Sequence, residues 1–450
     1  MDNDKIKNAF EFLNQFTNYE RQLRYPYNGW AMNLERVRVL LENAGSPEKK
    51  LKIIHIAGTK GKGSTAKMLQ SILTCAGYKT GLFTSPHLIW VNERIQIDGS
   101  AITDEELAEA IENLKPAVAK LSQMPKLGEL TYFELLTACA LWHFAQKKVD
   151  FAILEVGLGG RYDATNICQP ILAIITSIGY DHTDILGSKL SQIAQEKAMI
   201  IKPDAKVIIA PQKDEAWAVL KERIEQMSAK AFPLEKYYSW QVEKITSEKM
   251  EVKITGTARQ AVFELALLGV HQAINAGLSI LACDILSESK FSIPESAIKQ
   301  GLKKAYLPAR FQQVEFWGKK FIIDGAHNPE SAQALVDTLE RVYPEQGWNF
   351  IVGLSQDKDV QGFFAPIKKK AKRISICQTG ISRSASPQQI YPALADFSGE
   401  VIFEPRLKKA VRQLNHLAKK DELIIIAGSF YLAGEALKWM KESGAEIQIP

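Results

Sequence analysis

A chain of 450 residues exceeds the size at which a single hydrophobic core stops growing, so two or three domains are expected. Its 46% hydrophobic and 24% charged content excludes a disordered or fibrous protein, and a net charge of +5 spread along that length gives no support to nucleic-acid binding. The five cysteines lie far apart with no CxxC pair, no apolar run approaches the roughly 18 residues that cross a bilayer, and the first residues lack the apolar core of a secretion signal; a soluble cytoplasmic protein without a membrane partner is expected.

Residues 53–64 read IIHIAGTKGKGS. The apolar run predicts a buried parallel strand, and Gly58, Gly61 and Gly63 let the backbone approach a ligand. The helix expected from Thr65 offers its N-terminal N–H groups to an anion. Lys62 is placed to hold the β/γ-phosphates of a nucleotide and Ser64 a Mg²⁺. The spacing departs from GxxxxGK[ST], because two residues separate Gly58 from Gly61 and Gly63 follows the lysine.

From there to about residue 210, short apolar segments at 52–57, 79–84, 151–156, 172–177 and 206–210 alternate with helical patterns at 65–76, 103–121 and 131–146. Thr103 with Glu106 forms a capping box. Strands this uniformly apolar are buried on both faces, as in a parallel α/β sheet. Glu155 ends one of them before GLGGRYDATN, at the sheet edge where ligands gather; it is either a Mg²⁺ partner or a capping acid. His182, in SIGYDHTDILG, is either a metal ligand or a satisfied structural histidine, and Asp181 and Asp184 beside it either reinforce a ligand set or cap a helix. Lys197 in AQEKAMI has the pattern of a solvated helix lysine.

Residues 232–268 alternate as antiparallel strands do, and a helix is expected over 271–286. A second α/β series begins near Phe311, with strands at 321–324, 349–352, 373–377, 400–403 and 422–427. The basic run 368–373 fits a solvated helix end better than a nucleic-acid patch. FIIDGAHNP sets Asp324 and His327 at the carboxyl edge of this second sheet, facing a nucleotide or capping a loop. Arg310 suits a bidentate phosphate clamp or a surface ion pair.

Taken in order, AGTKGKGS, TSPHL, TYFE, EVGLGGRYDATN, DHTDILG, EKAMI, HQAINA, LPAR, DGAHNP, GLSQDKD and GSFYLAGE resemble the Mur ligase family, in particular its dihydrofolate synthase and folylpolyglutamate synthase members. The resemblance covers nearly the whole chain. It implies an α/β fold in two domains: residues 1–300, a P-loop parallel-sheet ATP-binding domain with a small β-rich lobe, and residues 301–450, a Rossmann-like ligase domain. It implies that Gly58, Thr59, Lys60, Gly61, Lys62, Gly63 and Ser64 bind ATP phosphates, with Asn275, Arg310, Asp324 and His327 completing the ATP site. Ser64, Ser85, Glu155 and His182 would hold Mg²⁺, two ions in all, and Lys197 falls where the family carries a carbamylated lysine; Lys62, His182 and Lys197 would be the catalytic set. Trp30, Ala31, Met32, Thr131, Tyr132, Phe133, Glu134, Tyr162, Asp163 and Ala164 match the family's pterin-substrate positions. Departures are WAMN at the N-terminal loop, Lys60 where Asn is usual, Met199 where Gly is common and Ala309 where Gly is frequent.

The implied activity is ATP-dependent addition of L-glutamate to dihydropteroate, to folates, or to both, through an acyl phosphate, by a monomer. A folylpolyglutamate synthase with that activity alone is one alternative. A peptidoglycan-precursor ligase is another, against which TSPHL, TYFE and DATN weigh, and a nucleotide-hydrolysing switch without ligation is a third.

Overall fold

The computed structural model describes residues 3–22, 26–256, 258–379 and 384–447. Its first sheet contains β1 (Ile53–Ala57), β2 (Thr80–Phe83), β3 (Ile95–Ile97), β4 (Ser100–Ala101), β5 (Phe151–Glu155), β6 (Leu172–Ile175), β7 (Lys206–Ile209) and β8 (Lys230–Pro233), in the order β4-β3-β2-β5-β1-β6-β7-β8. From β2 to β8 neighbouring strands are parallel; β3 and β4 add an antiparallel edge. Every residue of β1, β2, β5 and β6 is buried. Helices cover both faces, so these strands show no polar alternation.

The register decides where the site forms. Ile56 pairs with Glu155 and Ala57 with Ile175, so the loops after β1, β5 and β6 leave the sheet side by side. A ligand crevice at the carboxyl ends of adjacent parallel strands follows from this arrangement.

A three-stranded antiparallel sheet, β9 (Tyr238–Ile245), β10 (Met250–Gly256) and β11 (Gln260–Leu265), follows with β10 in the middle. Met250, Val252 and Ile254 point inward from β10 and pack with apolar residues of the helix His271–Glu288. The last sheet, β12 (Gln312–Phe316), β13 (Lys319–Ile323), β14 (Trp348–Val352), β15 (Ala371–Ile376), β16 (Glu400–Phe403) and β17 (Leu423–Ala427), has the order β12-β13-β17-β14-β15-β16. Only β12 runs antiparallel to its neighbour. The largest buried cluster runs without interruption from the first sheet (Ile54, Ile174) through the helix His271–Glu288 to the last (Ile322, Ile425).

Two local expectations are corrected, the start of the helix after β1 and the basic run, and a division between domains is proposed. The helix after β1 spans Lys62–Cys75, starting before Thr65, because Gly61 adopts a left-handed conformation and serves as its N-cap. Residue 300 falls inside the helix Glu295–Lys304, whose Gly301 lies against the Ile72 backbone of the phosphate-loop helix, closely enough that a Cβ would stand 2.4 Å from Ile72 Cα. We therefore propose 305–311 as the division between domains. In the basic run, only Lys368 ends a helix; Lys372 and Arg373 lie in β15 and reach Glu422 at 2.9 and 3.4 Å. Among the described residues no helix is long and apolar enough to cross a membrane.

Candidate active site

The loop after β1 is shaped by what its glycines approach. A Cβ on Gly58 would stand 1.9 Å from the Thr176 hydroxyl, and one on Gly61 2.2 Å from Asn275 Oδ1; both glycines also have positive φ. No other residue fits either position. The N–H groups of Thr59 and Lys60 both donate to the Ser177 carbonyl at 2.9 and 3.1 Å, tying the loop to the end of β6. Lys62 Nζ donates to the Gly58 carbonyl at 3.1 Å, a contact within the loop that an incoming phosphate can replace. Ser64 is buried in the first turn of the helix.

Glu155 ends β5 beside this turn, and a Cβ on Gly63 would be 3.4 Å from its carboxylate. Burial pushes the Glu155 carboxyl up, against the lowering effects of Lys62, Arg310 and the Ser85 N–H. No ion-pair partner lies within reach of it among the described residues. Glu155, Ser64 and Ser85 line the same cavity, and a desolvated carboxylate with two hydroxyls is a donor set of the kind suited to a hard, oxygen-seeking cation such as Mg²⁺.

His182 follows β6 with a left-handed backbone at the start of a single helical turn, Thr183–Leu186. The residue is exposed on the cleft, where the surrounding protein and the charges of Lys358, Lys197 and Lys62 lower its pKa against the opposing charge of Asp181. The imidazole is therefore neutral at pH 7, the form that ligates metals. Lys197 overturns the expectation of a solvated lysine: it is 5% exposed, and burial first, then the charges of Lys62 and Lys60, lowers it to about 7. Gly160 permits this packing, since a Cβ there would meet the Glu196 carbonyl at 2.6 Å and Lys197 Cα at 3.1 Å. Lys197 lines a recess of about 40 Å³ together with Lys62, Asp181 and His182.

The second sheet supplies the facing wall. Asp324 follows β13 and accepts the N–H groups of Phe311 at 2.7 Å and Ala326 at 2.8 Å; burial raises its pKa while Arg310 opposes that. The Arg310 guanidinium stacks 4.5 Å from the centre of the Phe430 ring. His327 Nδ1 lies 2.8 Å from the Gly325 carbonyl, which fixes Nδ1 as the donor and leaves Nε2 facing the cleft. Burial lowers His327 to about 3. Between the walls is a cavity of about 1060 Å³ that Lys60, Lys62, Ser64, Ser85, Glu155 and His182 line from one side and Arg310, Asp324 and His327 from the other.

The expected pterin positions divide. Met32, Thr131, Phe133, Glu134, Tyr162, Asp163 and Ala164 line the same cavity, whereas Trp30, Ala31 and Tyr132 do not, and Trp30 is 74% exposed. Several of the polar ones are already occupied. Glu134 takes two hydrogen bonds from Arg36, at 3.0 and 2.7 Å, and a third from the Thr131 N–H. Asp163 accepts from the N–H groups of Gly157, Leu158 and Thr165 and from the Thr165 hydroxyl. Asn275 stands behind the phosphate loop, off the cavity wall, donating to Gln272 Oε1 at 2.8 Å.

Four residues with a part in this architecture were not singled out from the sequence. Arg36 is buried and also donates to the carbonyls of Ala31 and Leu127; its signal was a lone charge on the apolar stripe shared with Val37, Leu40 and Leu41. Asn28 organises the N-terminal loop by accepting from the N–H groups of Trp30 and Ala31, both at 3.0 Å. Tyr27 donates to Glu196 at 2.8 Å, next to Lys197. Lys358, in GLSQDKD, lies 3.7 Å from Asp181.

Comparison with known proteins identifies the family. Residues 56–283 match the Mur ligase middle domain and 309–430 the Mur ligase glutamate ligase domain. The chain is 34% identical to the dihydrofolate synthase/folylpolyglutamate synthase of Bacillus subtilis (strain 168), over 91% of this chain and 95% of that one. It is 31% identical to the Escherichia coli (strain K12) protein of the same description, over 90% and 91%. Among solved structures, Mycobacterium tuberculosis folylpolyglutamate synthase complexed with ADP and AMPPCP superimposes with a TM-score of 0.86, 28% identity and 99% coverage of each chain. E. coli FolC in complex with DHPP and ADP gives 0.83 and 27%, covering 97% of this chain and 98% of that one. With two facing α/β sheets, a glycine-rich phosphate loop and acids at the strand ends, the chain belongs to the Mur ligase family, in its dihydrofolate synthase and folylpolyglutamate synthase branch.

Proposed function

We propose that this ligase adds L-glutamate to dihydropteroate and to the terminal glutamate of folates, with ATP as co-substrate. The carrying observation is the single cavity in which Lys62, Ser64 and Glu155 face Arg310, Asp324 and His327 from the second sheet. A pterin-bearing carboxylate has room beside the phosphate loop, against Phe133 and Tyr162.

In the first step a substrate carboxylate oxygen attacks the γ-phosphorus of ATP, and ADP leaves. In the second the glutamate amine attacks the acyl carbon, inorganic phosphate leaves, and one proton is released. Both steps bring charged groups together, so the protein's work is positioning and charge neutralisation. Lys62 moves from the Gly58 carbonyl onto the β/γ-phosphates. The N–H groups at the start of the helix Lys62–Cys75 hold the same oxygens. Arg310 and His327 receive the nucleotide from the second sheet, Asp324 orients Arg310, and Asn275 keeps the loop in shape from behind. When bound, Mg²⁺ held by Ser64, Ser85, Glu155 and His182 would neutralise charge on the transferring phosphoryl group. Lys197, held near neutrality by burial, supplies an uncharged amine able to add CO₂ as a carbamate with loss of a proton, which places an anion among Lys60, Lys62 and His182. Arg36 and Glu134 fix the loop 28–32 that bounds the pterin end. The free cysteines, all buried except the partly buried Cys75, fit work in the cytoplasm, and the chain is proposed to act as a monomer.

The test is an assay of the purified protein with ATP, L-glutamate and either dihydropteroate or tetrahydrofolate, with products weighed by mass spectrometry. Single addition to dihydropteroate and chain extension on tetrahydrofolate are expected. Extension alone would reduce the proposal to a folylpolyglutamate synthase, and ATP turnover indifferent to both acceptor and glutamate would overturn it.

A further inference from the structure

Lys60 is the cation of the phosphate loop to which the steps described above give no contact with the nucleotide. Its Nζ is committed to a carboxylate, 3.0 Å from Asp181 Oδ2, with the side chain 30% exposed. Lys62, two residues on, is paired with no acid among the described residues and donates to the Gly58 carbonyl, a bond that a phosphate can replace. The two lysines of one loop thus have different partners.

Asp181 is where the two walls of the cleft touch. Its Oδ2 accepts from Asn328 Nδ2 at 3.4 Å and lies 4.0 Å from His327 Nε2, and its Oδ1 is 3.7 Å from Lys358 Nζ; all three groups belong to the second sheet's loops. Lys358 also pairs with Asp357 at 3.3 Å. Glu330, at the start of the helix Pro329–Val342, lies so close to Gly179 that a Cβ there would be 2.9 Å from its carboxylate, and its charge acts on Lys60. The junction therefore gathers three carboxylates, Asp181, Asp357 and Glu330, around two lysines, Lys60 and Lys358. Without Lys60, the one lysine still paired with Asp181 among the described residues would be Lys358, beside the position a triphosphate must enter. Repulsion from those acids would disfavour both the nucleotide and the contact between the walls.

The geometry points to Lys60 as a positioning residue: acting through Asp181, it ties the phosphate loop to the second domain, so that acyl phosphate and glutamate amine are held in register and water is excluded. This rests on the proposed ligase reaction and adds a role that the phosphate loop's own chemistry does not require. Loss of register exposes the acyl phosphate to hydrolysis, so the function at stake is coupling: one phosphate released for each amide formed.

The experiment measures phosphate released per amide formed, with KM for ATP, in the unaltered protein, Lys60→Met, Lys60→Arg, Asp181→Asn and the Lys60→Met/Asp181→Asn double variant. The expected outcome is a rise of at least about threefold in that ratio for Lys60→Met and Asp181→Asn, no further rise in the double variant, and recovery to within about twofold of the unaltered ratio in Lys60→Arg. A ratio that stays near one in Lys60→Met, with KM for ATP raised instead, would make Lys60 an ordinary phosphate contact and overturn the inference. Multiplying effects in the double variant would overturn it as well. Absence of glutamate-dependent turnover in the unaltered protein is a different result: it sinks the ligase proposal itself.

Discussion

Two patches of one cavity treat their polar groups in opposite ways. At the phosphate end, Glu155 and Lys197 are buried without ion-pair partners among the described residues, and Lys62 is bonded only to its own loop. At the pterin end, Glu134, Asp163 and Arg36 are equally buried but bonded to one another and to the backbone. Desolvation without compensation costs free energy that a merely structural site has no reason to bear, so the first patch is where ligand charges complete the bonding. In the second, the polar groups hold a shape, and what meets the substrate is the surface they support. Motif residues of one family can therefore be reactive at one end of a cavity and architectural at the other.

Breaking that contrast begins with the largest effect. Lys62→Ala should lower ligation about a hundred- to a thousandfold while leaving the melting temperature nearly unchanged, because only loop-internal bonding is lost. Steady-state rates beside a thermal melt decide this, and a large drop in melting temperature with normal turnover would erase the distinction. Arg36→Leu should do the reverse: it leaves Glu134 buried and unpaired, at a cost of about 3 kcal/mol in denaturant unfolding, while residual folded protein keeps its ATP affinity. An unchanged midpoint would show that the pterin end is not the self-satisfied patch described here.

A satisfied acid far from the cavity sharpens the comparison. Burial pushes Glu422 up, but Lys372, Asn349 and the Lys419 N–H outweigh it and hold the carboxyl at about 2, below its usual 4.5. A depressed acid contributes stability above its unfolded pKa and loses it as pH falls through the folded one. Glu422→Gln should therefore destabilise by about 2 kcal/mol at pH 7, with the difference shrinking between pH 4.5 and 2. Unfolding curves across that range test it, and a gap that persists at the acid end would contradict it. The smallest effect is expected at Trp30, whose exposure predicts a stability change within about 0.5 kcal/mol for Trp30→Ala. A change above about 2 kcal/mol would mean that this loop packs elsewhere.

What could be read in the sequence follows the same division. The alternation of uniformly apolar strands with helices, the glycines of the phosphate loop, and the acids and histidines just past strand ends are local patterns, and the structure places them along facing sheet edges. Lys197 could not be read this way, because its burial comes from Gly160, more than thirty residues earlier, packing onto its backbone. Arg36 with Glu134, and Asp181 with Lys60 and Lys358, are pairings across the fold, and a motif that holds one partner says nothing of the other. The start of the helix at Lys62 was missed for a smaller reason, since glycine at Gly61 and Gly63 lowers helix propensity while a left-handed Gly61 makes a good cap.

The buried cluster that joins Ile54 to Ile425 sets a schedule for biosynthesis. A ribosome adding about 5–20 residues per second needs roughly 20–70 s between those two positions. From completion of the helix His271–Glu288 until β17, the last strand, emerges, the part of this cluster built by the earlier residues lacks the part that the last sheet contributes. Nascent chains stalled before β17 should accordingly be captured by cellular holdases, and chains released beyond it should escape them.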